Sequence, residues 1–453
     1  MEGIPSVIKH VVEKDMCTGC GICTSFCSSK ALKMDWNESG FLVPNKIDDC
    51  SEDSSCISVC PFNPFPEDEV KTETEIANIF LPNDDSTKFL PKLGKYKNTY
   101  VGYSKEYRES SSSGGIATYV TKTLFNEGVI DYVINVKAVG NKYSYAITGA
   151  DDDVKSTSKT RYYPVTMESV FAKIGDLEGK VAIVGIPCFL KGVRLAQFRN
   201  KTLKDKIVFT IAIICGGVKS KFFTEYLVQK AGVKDSLIKK VEYRVKDFNS
   251  TAGDYSFGVI TEEEKEIQTL RMSSVGDMWG TGLFKCNACD FCDDVSGELA
   301  DISLGDAWIR PFINEGGGNN VIVTRSILAD KIIKEGGKAE VLKVDLLPES
   351  EVIRSQKGSY THRQDCLPYR MKISDNKELP PKRVYNKFLS PEVKLVQLAR
   401  RVTRAKSLTV WKENKDANLF DEEMKSDLKY LRTITKISHY KRGILERLKK
   451  IFN

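Results

Sequence analysis

Three short runs of cysteines constrain this chain more than any other feature of its sequence. Ten of its thirteen cysteines fall within them. The runs are Cys17, Cys20, Cys23 and Cys27, then Cys50, Cys56 and Cys60, and far downstream Cys286, Cys289 and Cys292. A cubane iron–sulfur cluster needs four thiolates around one small volume, and a loop with two residues between successive cysteines supplies three of them. The spacing therefore predicts two to three 4Fe-4S clusters, and the third run needs a fourth ligand from elsewhere.

The rest of the composition indicates a globular protein of a reducing compartment. The 453 residues suffice for two or three domains, and no apolar run approaches the roughly 20 residues of a bilayer span. The first residues lack the layout of a secretory signal. In a reducing compartment such runs indicate metal or catalytic sites rather than disulfides, so we expect a cytoplasmic protein. Its three isolated histidines leave little material for mixed Cys/His zinc sites or a Ser-His-Asp hydrolase.

Composition and pattern divide the chain into four regions. Residues 1–66 form the cysteine module, 67–98 are predicted to be a polar linker, 99–370 an α/β body and 371–453 a helical basic C-terminal region. Two continuous apolar runs, which end at Cys188 and Cys215, are typical of strands buried on both faces. Helices and strands are mixed, which predicts an α/β or α+β fold without fixing the order of the sheet.

Shorter patterns predict further elements of the body. We expect strands near residues 100–104, 129–136, 300–308 and 319–324, and helices after Gly115 and near Ser220.

The first two cysteine runs together resemble a bacterial ferredoxin with two 4Fe-4S clusters, over about 60 residues. In that family the last cysteine of each run ligates the cluster of the other run. The resemblance implies one cluster held by Cys17, Cys20, Cys23 and Cys60, and a second held by Cys50, Cys56 and Cys27. A zinc ribbon is the alternative.

The second run departs from the ferredoxin pattern at one position. The family spacing puts a cysteine at position 53, where this chain has Asp53. A carboxylate ligates iron, but it is harder than a thiolate and exchanges more easily. We therefore expect a 4Fe-4S cluster that is ligated by Asp53 or otherwise incomplete, a 3Fe-4S cluster, or no cluster with Asp53 as a solvated loop residue.

The body resembles the beta subunits of coenzyme F420 hydrogenases and dehydrogenases in five ordered segments: SSSGGIATYVTKTL, VGIPCFLKGVR, IICGGV, CNACDFC and ADISLGDAW. The resemblance to this family implies bound FAD, a further 4Fe-4S cluster and hydride or electron transfer through the flavin. Members of the family act on the deazaflavin F420, on chlorophyll- or bilin-like pigments, or on unassigned substrates among polysaccharide genes. Ile186 and Phe189 replace the family's usual Thr and Gln, which leaves the substrate open.

Ser111, Ser112, Ser113, Gly114 and Gly115 are the candidate flavin-binding residues. They precede a helical pattern, and glycines let backbone N–H groups approach a pyrophosphate whose charge a helix N-terminus favours. The serine hydroxyls add donors. Such a turn is by itself also typical of a plain helix cap, and the family resemblance favours the flavin.

Cys188 and Cys215 are the candidates for the fourth ligand of the third cluster. Both end buried apolar runs, where loops gather at the carboxyl edge of a sheet. The family pattern favours Cys188, with Cys215 as the alternative, and each alone is also typical of a buried core cysteine. Asp301, Gly305 and Asp306 are expected near the flavin, or otherwise as turn formers at a strand end.

Positive charge is concentrated near the C-terminus. Residues 382–453 contain 19 Lys and Arg against 8 Asp and Glu, a net charge of +11, whereas the whole chain carries +7. Residues 441–452 are predicted to form a basic amphipathic helix, which either lies on an anionic membrane surface or packs on the body or a partner. We expect no nucleic-acid partner, because no reading module accompanies the charge.

Together these features predict an iron–sulfur flavoprotein oxidoreductase whose chemistry belongs to its cofactors. Electrons would enter from a ferredoxin or a partner redox subunit and pass by the third cluster and FAD to a small-molecule substrate, or flow in reverse. Because some members of the family lie among polysaccharide genes, the resemblance also implies a role in polysaccharide biosynthesis. A non-enzymatic electron-transfer subunit of a larger complex is one alternative, and a structural metal-bound scaffold is another.

Overall fold

The cysteine module is built from two loops, two short helices and a β-hairpin. The computed structural model of the chain describes residues 3–139, 142–234, 238–261, 267–383 and 387–452, the last eight of these by backbone alone. The module's elements are a π-helical turn (Ile8–Val12), α1 (Ile22–Ser25), β1 (Leu32–Trp36), β2 (Leu42–Lys46) and α2 (Ser55–Ser58). Each helix directly follows a cysteine loop, and β1 and β2 pair antiparallel between them.

The module packs against the body through a shared apolar core. Ile22 and Val59 of the module belong to the same buried cluster as Leu190 and Val193 of the body. The backbone N–H of Met167 also donates to the carbonyl of Cys20 at 2.9 Å. Because apolar surface is removed from water on both sides, module and body hold one another in place.

Residues 67–98, predicted as a polar linker, carry secondary structure and a buried ion pair. Their elements are α3 (Glu73–Phe80), β3 (Lys88–Leu90) and β4 (Gly94–Tyr96). Thr72 and Glu75 form a capping box at the start of α3, which satisfies two free N–H groups of the first turn. Glu73 is buried and lies 3.1 Å from the Lys191 ammonium of the body.

The body is built around an eight-stranded mixed sheet with a smaller three-stranded sheet beside it. The strands are β5 (Asn98–Ser104), β6 (Tyr132–Val139), β7 (Lys142–Gly149), β8 (Val181–Gly185), β9 (Ile207–Ile213), β10 (Ile238–Val245), β11 (Ser256–Thr261), β12 (Gln268–Arg271), β13 (Ile302–Asp306), β14 (Asn320–Thr324) and β15 (Leu342–Leu346). The large sheet has the order β15-β5-β14-β13-β9-β8-β6-β7, and β10, β11 and β12 form an antiparallel meander.

Four parallel strands, β6, β8, β9 and β13, occupy the middle of the large sheet. β14 runs antiparallel to β13, and β5 runs antiparallel to β14, so β5 points the same way as the four central strands. The carboxyl ends of five strands therefore lie at one edge of the sheet. Loops that follow parallel strands gather at this edge, which is where open α/β sheets bind their ligands.

Helices cover both faces of the large sheet. The chain from residue 99 onward forms the helices α4 (Ile116–Asn126), α5 (Glu168–Phe171), α6 (Pro187–Arg199), α7 (Lys201–Lys206), α8 (Lys221–Lys230), α9 (Ile327–Lys338), α10 (Glu349–Ser355), α11 (Lys357–Tyr360), α12 (Leu367–Lys372), α13 (Pro391–Asn414) and α14 (Ala417–Phe452). In β8, Ala182 and Val184 pack with α4 and α9, whereas Val181 and Ile183 pack with α6. The alternation follows from the two-residue period of a strand and explains why its sequence is continuously apolar.

The C-terminal helices α13 and α14 form an antiparallel hairpin on the body. Trp411 is fully buried against Phe284 and Phe420, and its indole N–H donates to the Glu225 carboxylate at 2.9 Å. Part of the basic region thus belongs to a folded core. Within the described residues, no helix has both the length and the apolar character needed to cross a membrane.

We predict that Trp411→Ala destabilises the protein by about 3–5 kcal/mol, because it removes a large fully buried side chain and leaves a cavity. The free energy of unfolding in urea measures the change. Val402→Ala on the exposed side of α13 is the control and should shift it by at most about 0.5 kcal/mol. Equal effects of the two substitutions would contradict the packing.

Candidate cluster sites and an adjoining cavity

The first cysteine group surrounds a small closed cavity. Cys17, Cys20, Cys23 and Cys60 all line it, together with Pro61. Burial raises the pKa of the Cys23 and Cys60 thiols well above the usual value, and the neighbouring Cys20 acts in the same direction. Four thiols from two separated loops thus meet in one place, and this donor set fits a cubane cluster.

The second cysteine group consists of Cys27, Cys50 and Cys56. The pKa of the Cys56 thiol is raised by burial and also by the nearby Cys27 and Cys50. Cys27 therefore lies with the second run although it ends the first, as the ferredoxin resemblance implies. Asp53 is exposed, and its carboxylate accepts hydrogen bonds from the N–H and the hydroxyl of Ser55 at 3.0 and 2.7 Å.

The third cysteine group brings Cys286, Cys289 and Cys292 together with both candidate fourth ligands. Cys188 lies in the first turn of α6 and Cys215 follows β9. Burial raises the pKa of Cys188 well above the usual value, with further contributions from the thiols of Cys292, Cys215 and Cys289. Burial also raises the pKa of the Cys215 thiol; the Arg363 guanidinium opposes this shift and the Cys289 thiol adds to it.

Arg363 is a residue of the third group that the sequence analysis missed. Its guanidinium lies 3.7 Å from the Cys292 sulfur and 3.8 Å from the Cys215 sulfur. It also donates to the carbonyl of Asp294 at 3.0 Å. A buried cation at this position offsets the negative charge that clustered thiolates would carry. An isolated arginine far from the cysteines in sequence gives no local signal of such a role.

The first and third groups are neighbours in space. The thiol of Cys286 donates to the carbonyl of Cys17 at 3.2 Å, and the Cys188 sulfur is hydrogen-bonded by the Thr18 hydroxyl. The two groups are thus joined by direct contacts between their own loops.

In the described part of the chain, no group of three or more His, Cys, Asp or Glu side chains converges tightly enough to hold one metal ion.

A cavity of about 550 Å³ lies at the carboxyl edge of the large sheet, within the range of about 300–1,000 Å³ that small-molecule and cofactor sites occupy. Ser111, Ser112, Ser113 and Gly115 line one end of it, and Cys215 lines another part of its wall. The cavity is therefore bordered both by the serine-rich turn and by the third cysteine group.

The three serines of that turn differ in their hydrogen bonding. Ser112 accepts from the Thr160 N–H at 2.8 Å, and Ser113 donates to the Asn319 carbonyl at 3.1 Å. The hydroxyl of Ser111 is buried and has no hydrogen-bond partner among the described residues. A buried polar atom without a partner is costly, and a ligand in the cavity would satisfy it.

Backbone conformation and close packing explain why the turn contains glycine at positions 114 and 115. Gly115 has φ +79° and caps the N-terminus of α4, a conformation that glycine adopts without strain. A Cβ atom on Gly114 would lie 2.7 Å from the Asn320 side chain and from the Gly102 carbonyl. Gly114 thus lets the turn pack closely on β5 and β14, and it is not among the residues that line the cavity.

The three residues predicted near the flavin, Asp301, Gly305 and Asp306, lie at the two ends of β13. Gly305 and Asp306 line the cavity, and the Arg244 guanidinium lies 2.7 Å from the Asp306 carboxylate. Asp301 lies at the opposite end of β13, where it accepts from Arg194 and Thr210. Its contacts are those of a partly buried structural carboxylate.

Several cationic and aromatic residues of the cavity wall gave no signal in sequence. They are Arg161, Lys219, Arg244, Tyr162 and Trp279. Burial lowers the pKa of Lys219 to about 7, and its ammonium lies 4.6 Å from the centre of the Trp279 ring. The wall therefore combines positive charge with flat apolar surface, which suits an anionic aromatic ligand.

Comparison with known proteins agrees with this architecture. The family model for the N-terminal part of coenzyme F420 hydrogenase/dehydrogenase beta subunits matches residues 99–172, and the model for their C terminus matches residues 178–350. One component of the F(420)H(2) dehydrogenase of Methanosarcina mazei is 23% identical over 331 residues, which cover 68% of this chain and 82% of that protein.

Two further similarities concern the module and the fold. A ferredoxin of Pyrobaculum islandicum is 39% identical over 51 residues, which cover 11% of this chain and 45% of the ferredoxin. A chain in a structure of the F420-reducing [NiFe] hydrogenase complex from Methanosarcina barkeri superposes with a TM-score of 0.50 at 21% identity, covering 65% of this chain and 99% of that chain. The structural match indicates a shared fold.

We predict that Cys188→Ser removes the iron of one cluster per chain, because the Cys188 thiol lies near those of Cys289 and Cys292. Cys215→Ser should have a smaller effect. Iron and acid-labile sulfide in anaerobically purified protein measure the change, and Cys366→Ser, at a buried cysteine outside the three groups, should leave iron content unchanged. Greater iron loss from Cys215→Ser than from Cys188→Ser would identify Cys215 as the fourth ligand.

Proposed function

Because this chain belongs to the family of coenzyme F420 hydrogenase/dehydrogenase beta subunits, we propose that it is an iron–sulfur flavoprotein oxidoreductase. Electrons enter the cysteine module from a ferredoxin-like donor or a partner redox subunit. They pass by the third cysteine group to FAD in the cavity and on to a small-molecule substrate, and the same path serves the reverse direction. The substrate, the use of F420 and a setting in polysaccharide biosynthesis stay predictions.

The position of Cys215 is the observation that carries this proposal. The Cys215 sulfur belongs to the third group, because Arg363 contacts both this sulfur and that of Cys292. Cys215 also lines the cavity. A redox group in the cavity would therefore lie beside the third cluster. A bare electron-transfer subunit has no need of a cofactor-sized cavity at that point.

The contact between the first and third cysteine groups supports electron transfer from the cysteine module to the third cluster. Cys17 and Cys286 are joined by a hydrogen bond, so clusters on their sulfurs would be close neighbours. We propose Cys17, Cys20, Cys23 and Cys60 as ligands of the first cluster, and Cys188, Cys286, Cys289 and Cys292 as ligands of the third.

The turn before α4 suits the diphosphate of FAD. The hydroxyl of Ser111 has no hydrogen-bond partner among the described residues, and a phosphate oxygen would accept its hydrogen bond. The first N–H groups of the eleven-residue helix α4 carry partial positive charge, which favours a phosphate. Arg161 adds a cation to the same cavity. Bound FAD would supply the exchange between one-electron and two-electron chemistry, while the protein holds it and excludes water.

Cofactor analysis of the anaerobically purified protein tests the proposal as a whole. We expect two to three clusters by iron and acid-labile sulfide, and one FAD per chain. Clusters without flavin under any condition would favour the electron-transfer subunit. Stoichiometric zinc without sulfide would overturn the proposal.

Ser111→Asp should lower the affinity for FAD, because it places a carboxylate where phosphate is expected. Repulsion at about 4 Å is worth roughly 1–4 kcal/mol, which corresponds to a loss of about five- to thousandfold at 1.4 kcal/mol per tenfold. Flavin content and titration of the deflavinated protein measure it.

Ser110→Asp is the matched control, since Ser110 belongs to the same turn but does not line the cavity. It should bind FAD as the parent protein does. Gly114 is less suitable for this test, because a Cβ there meets the backbone of β5 whether or not a cofactor is bound. Unchanged flavin affinity in Ser111→Asp would mean that the diphosphate lies elsewhere.

The outer face of the α13–α14 hairpin suits an anionic membrane surface. Apolar side chains are exposed along both helices: Leu395, Leu398, Val402, Tyr430, Ile437, Tyr440 and Ile444. An ion pair between Lys406 and Asp427 at 2.8 Å sets the two helices side by side. The exposed Lys429 and Lys436 precede Tyr430 and Ile437 of this face directly in α14. The side chains of the predicted amphipathic helix from residue 445 onward lie outside the described residues. Basic and apolar residues on one face favour anionic lipid.

Replacing Lys429 and Lys436 by alanine should weaken binding to phosphatidylglycerol vesicles by about 30-fold, at about 1 kcal/mol per cation near the surface. The same change at Lys331 and Lys338 on α9 is the control. Co-sedimentation with phosphatidylglycerol or phosphatidylcholine vesicles measures binding. Equal binding to both lipids, or vesicle-independent dimerisation through this face, would contradict the membrane assignment.

A further inference from the structure

The two cysteine loops of the module have nearly the same backbone. In the first loop the N–H of Gly19 points to the Cys17 sulfur at 3.4 Å, and in the second the N–H of Glu52 points to the Cys50 sulfur at 3.3 Å. A left-handed residue then begins the short helix in each loop. The second loop therefore repeats the first, position by position.

The repetition includes backbone conformations that only the first loop adopts without strain. Gly19 and Gly21, on either side of Cys20, have φ of +84° and +78°. Glu52 and Ser54, on either side of Asp53, have φ of +57° and +58°. Residues with a Cβ rarely adopt this region. Two such residues around one position are a strained arrangement of the kind found at ligand-binding sites.

This strained backbone presents residue 53 as the first loop presents residue 20. Asp53 follows Cys50 and precedes Cys56 with two residues on each side, as Cys20 stands between Cys17 and Cys23. Cys20 is buried, with 8% of its surface exposed, whereas Asp53 is exposed. The corner of a cluster next to position 53 would therefore face solvent.

We propose, on the basis of the cluster function proposed above, that the second centre is a cubane held by the thiolates of Cys27, Cys50 and Cys56, with an exchangeable iron at the corner next to Asp53. The Asp53 carboxylate and small ligands from solvent compete for this iron. A carboxylate binds iron less tightly than a thiolate does, and its hydrogen bonds to Ser55 offer it an alternative position.

The exchange is a redox step with a defined balance. A one-electron oxidant such as ferricyanide takes one electron from the [4Fe-4S]2+ cluster, which releases one Fe2+ and leaves [3Fe-4S]+. In reverse, one electron reduces this to [3Fe-4S]0, and one Fe2+ then restores [4Fe-4S]2+. No bond to the three cysteines is broken. The first cluster, whose four proposed ligands are all thiolates, should not undergo this exchange.

EPR of the full-length protein, purified without oxygen, tests the proposal. After ferricyanide treatment we expect one oxidised three-iron cluster per chain and release of about one iron, both reversed by dithionite with Fe2+. This first measurement needs only the wild-type protein. A wild-type protein with intact four-iron clusters and no three-iron signal under these conditions would overturn the proposal.

Variants of the second loop identify the residue responsible. Asp53→Cys should abolish the three-iron signal, because a fourth thiolate holds the corner iron. Asp53→Asn should increase the share of three-iron cluster before any oxidant is added. Asp49→Asn, which changes another exposed carboxylate near Cys50, is the matched control and should behave as wild type.

The outcomes separate this inference from the proposed function. A three-iron signal that persists in Asp53→Cys would place the labile corner elsewhere and overturn the inference. Iron for two clusters only, unchanged in Asp53→Cys, would mean that the second centre is empty and would also overturn it. In both cases flavin and the first and third clusters would be retained, whereas loss of all iron–sulfur signals would overturn the proposed function itself.

Discussion

The parallel pairing of β8 with β9 is the contact on which the rest of the site depends. Gly185 pairs with Ala212 in this register, and the chain leaves both strands at the same edge of the sheet. Cys188 and Cys215 therefore come within reach of one cysteine loop although 26 residues separate them in sequence. A shift of register by one residue would turn the side chains of each face of these strands to the other face of the sheet. A reversed strand would carry one of the two cysteines to the opposite edge.

Buried opposite charges hold the loop around the third cysteine group. Asp290 lies 2.5 Å from the Lys285 ammonium and 3.2 Å from the Arg404 guanidinium. Asp293 pairs in the same way with Lys382 and Arg383. Buried charges are tolerated only when they are paired, so the loop is fixed by partners from α13 and from the segment before it. This explains why part of the basic C-terminal region belongs to the core of the body, while its exposed side keeps the excess of positive charge.

The sequence predicted those parts of the fold and site whose signal is local. The apolar runs before Cys188 and Cys215 form β8 and β9, and the pattern after Gly115 forms α4. The meander of β10, β11 and β12 was not predicted, because its strands are partly exposed, with polar residues between apolar ones. The buried pair of Glu73 and Lys191 was also missed, since a charged residue in a polar stretch gives no sign that it will be buried.

The sequence by itself determined the chemistry: soft thiolates in tight loops, a carboxylate at position 53 and a small-residue turn before a helix are properties of residue type and spacing over a few residues. Tertiary structure alone decided how these parts meet. It placed Cys17 beside Cys286, brought Arg363 between Cys215 and Cys292, and enclosed a cavity between the serine turn and the third group. Each of these contacts joins residues far apart in the chain, and their positions follow from strand order and the packing of buried surface, which local sequence does not specify.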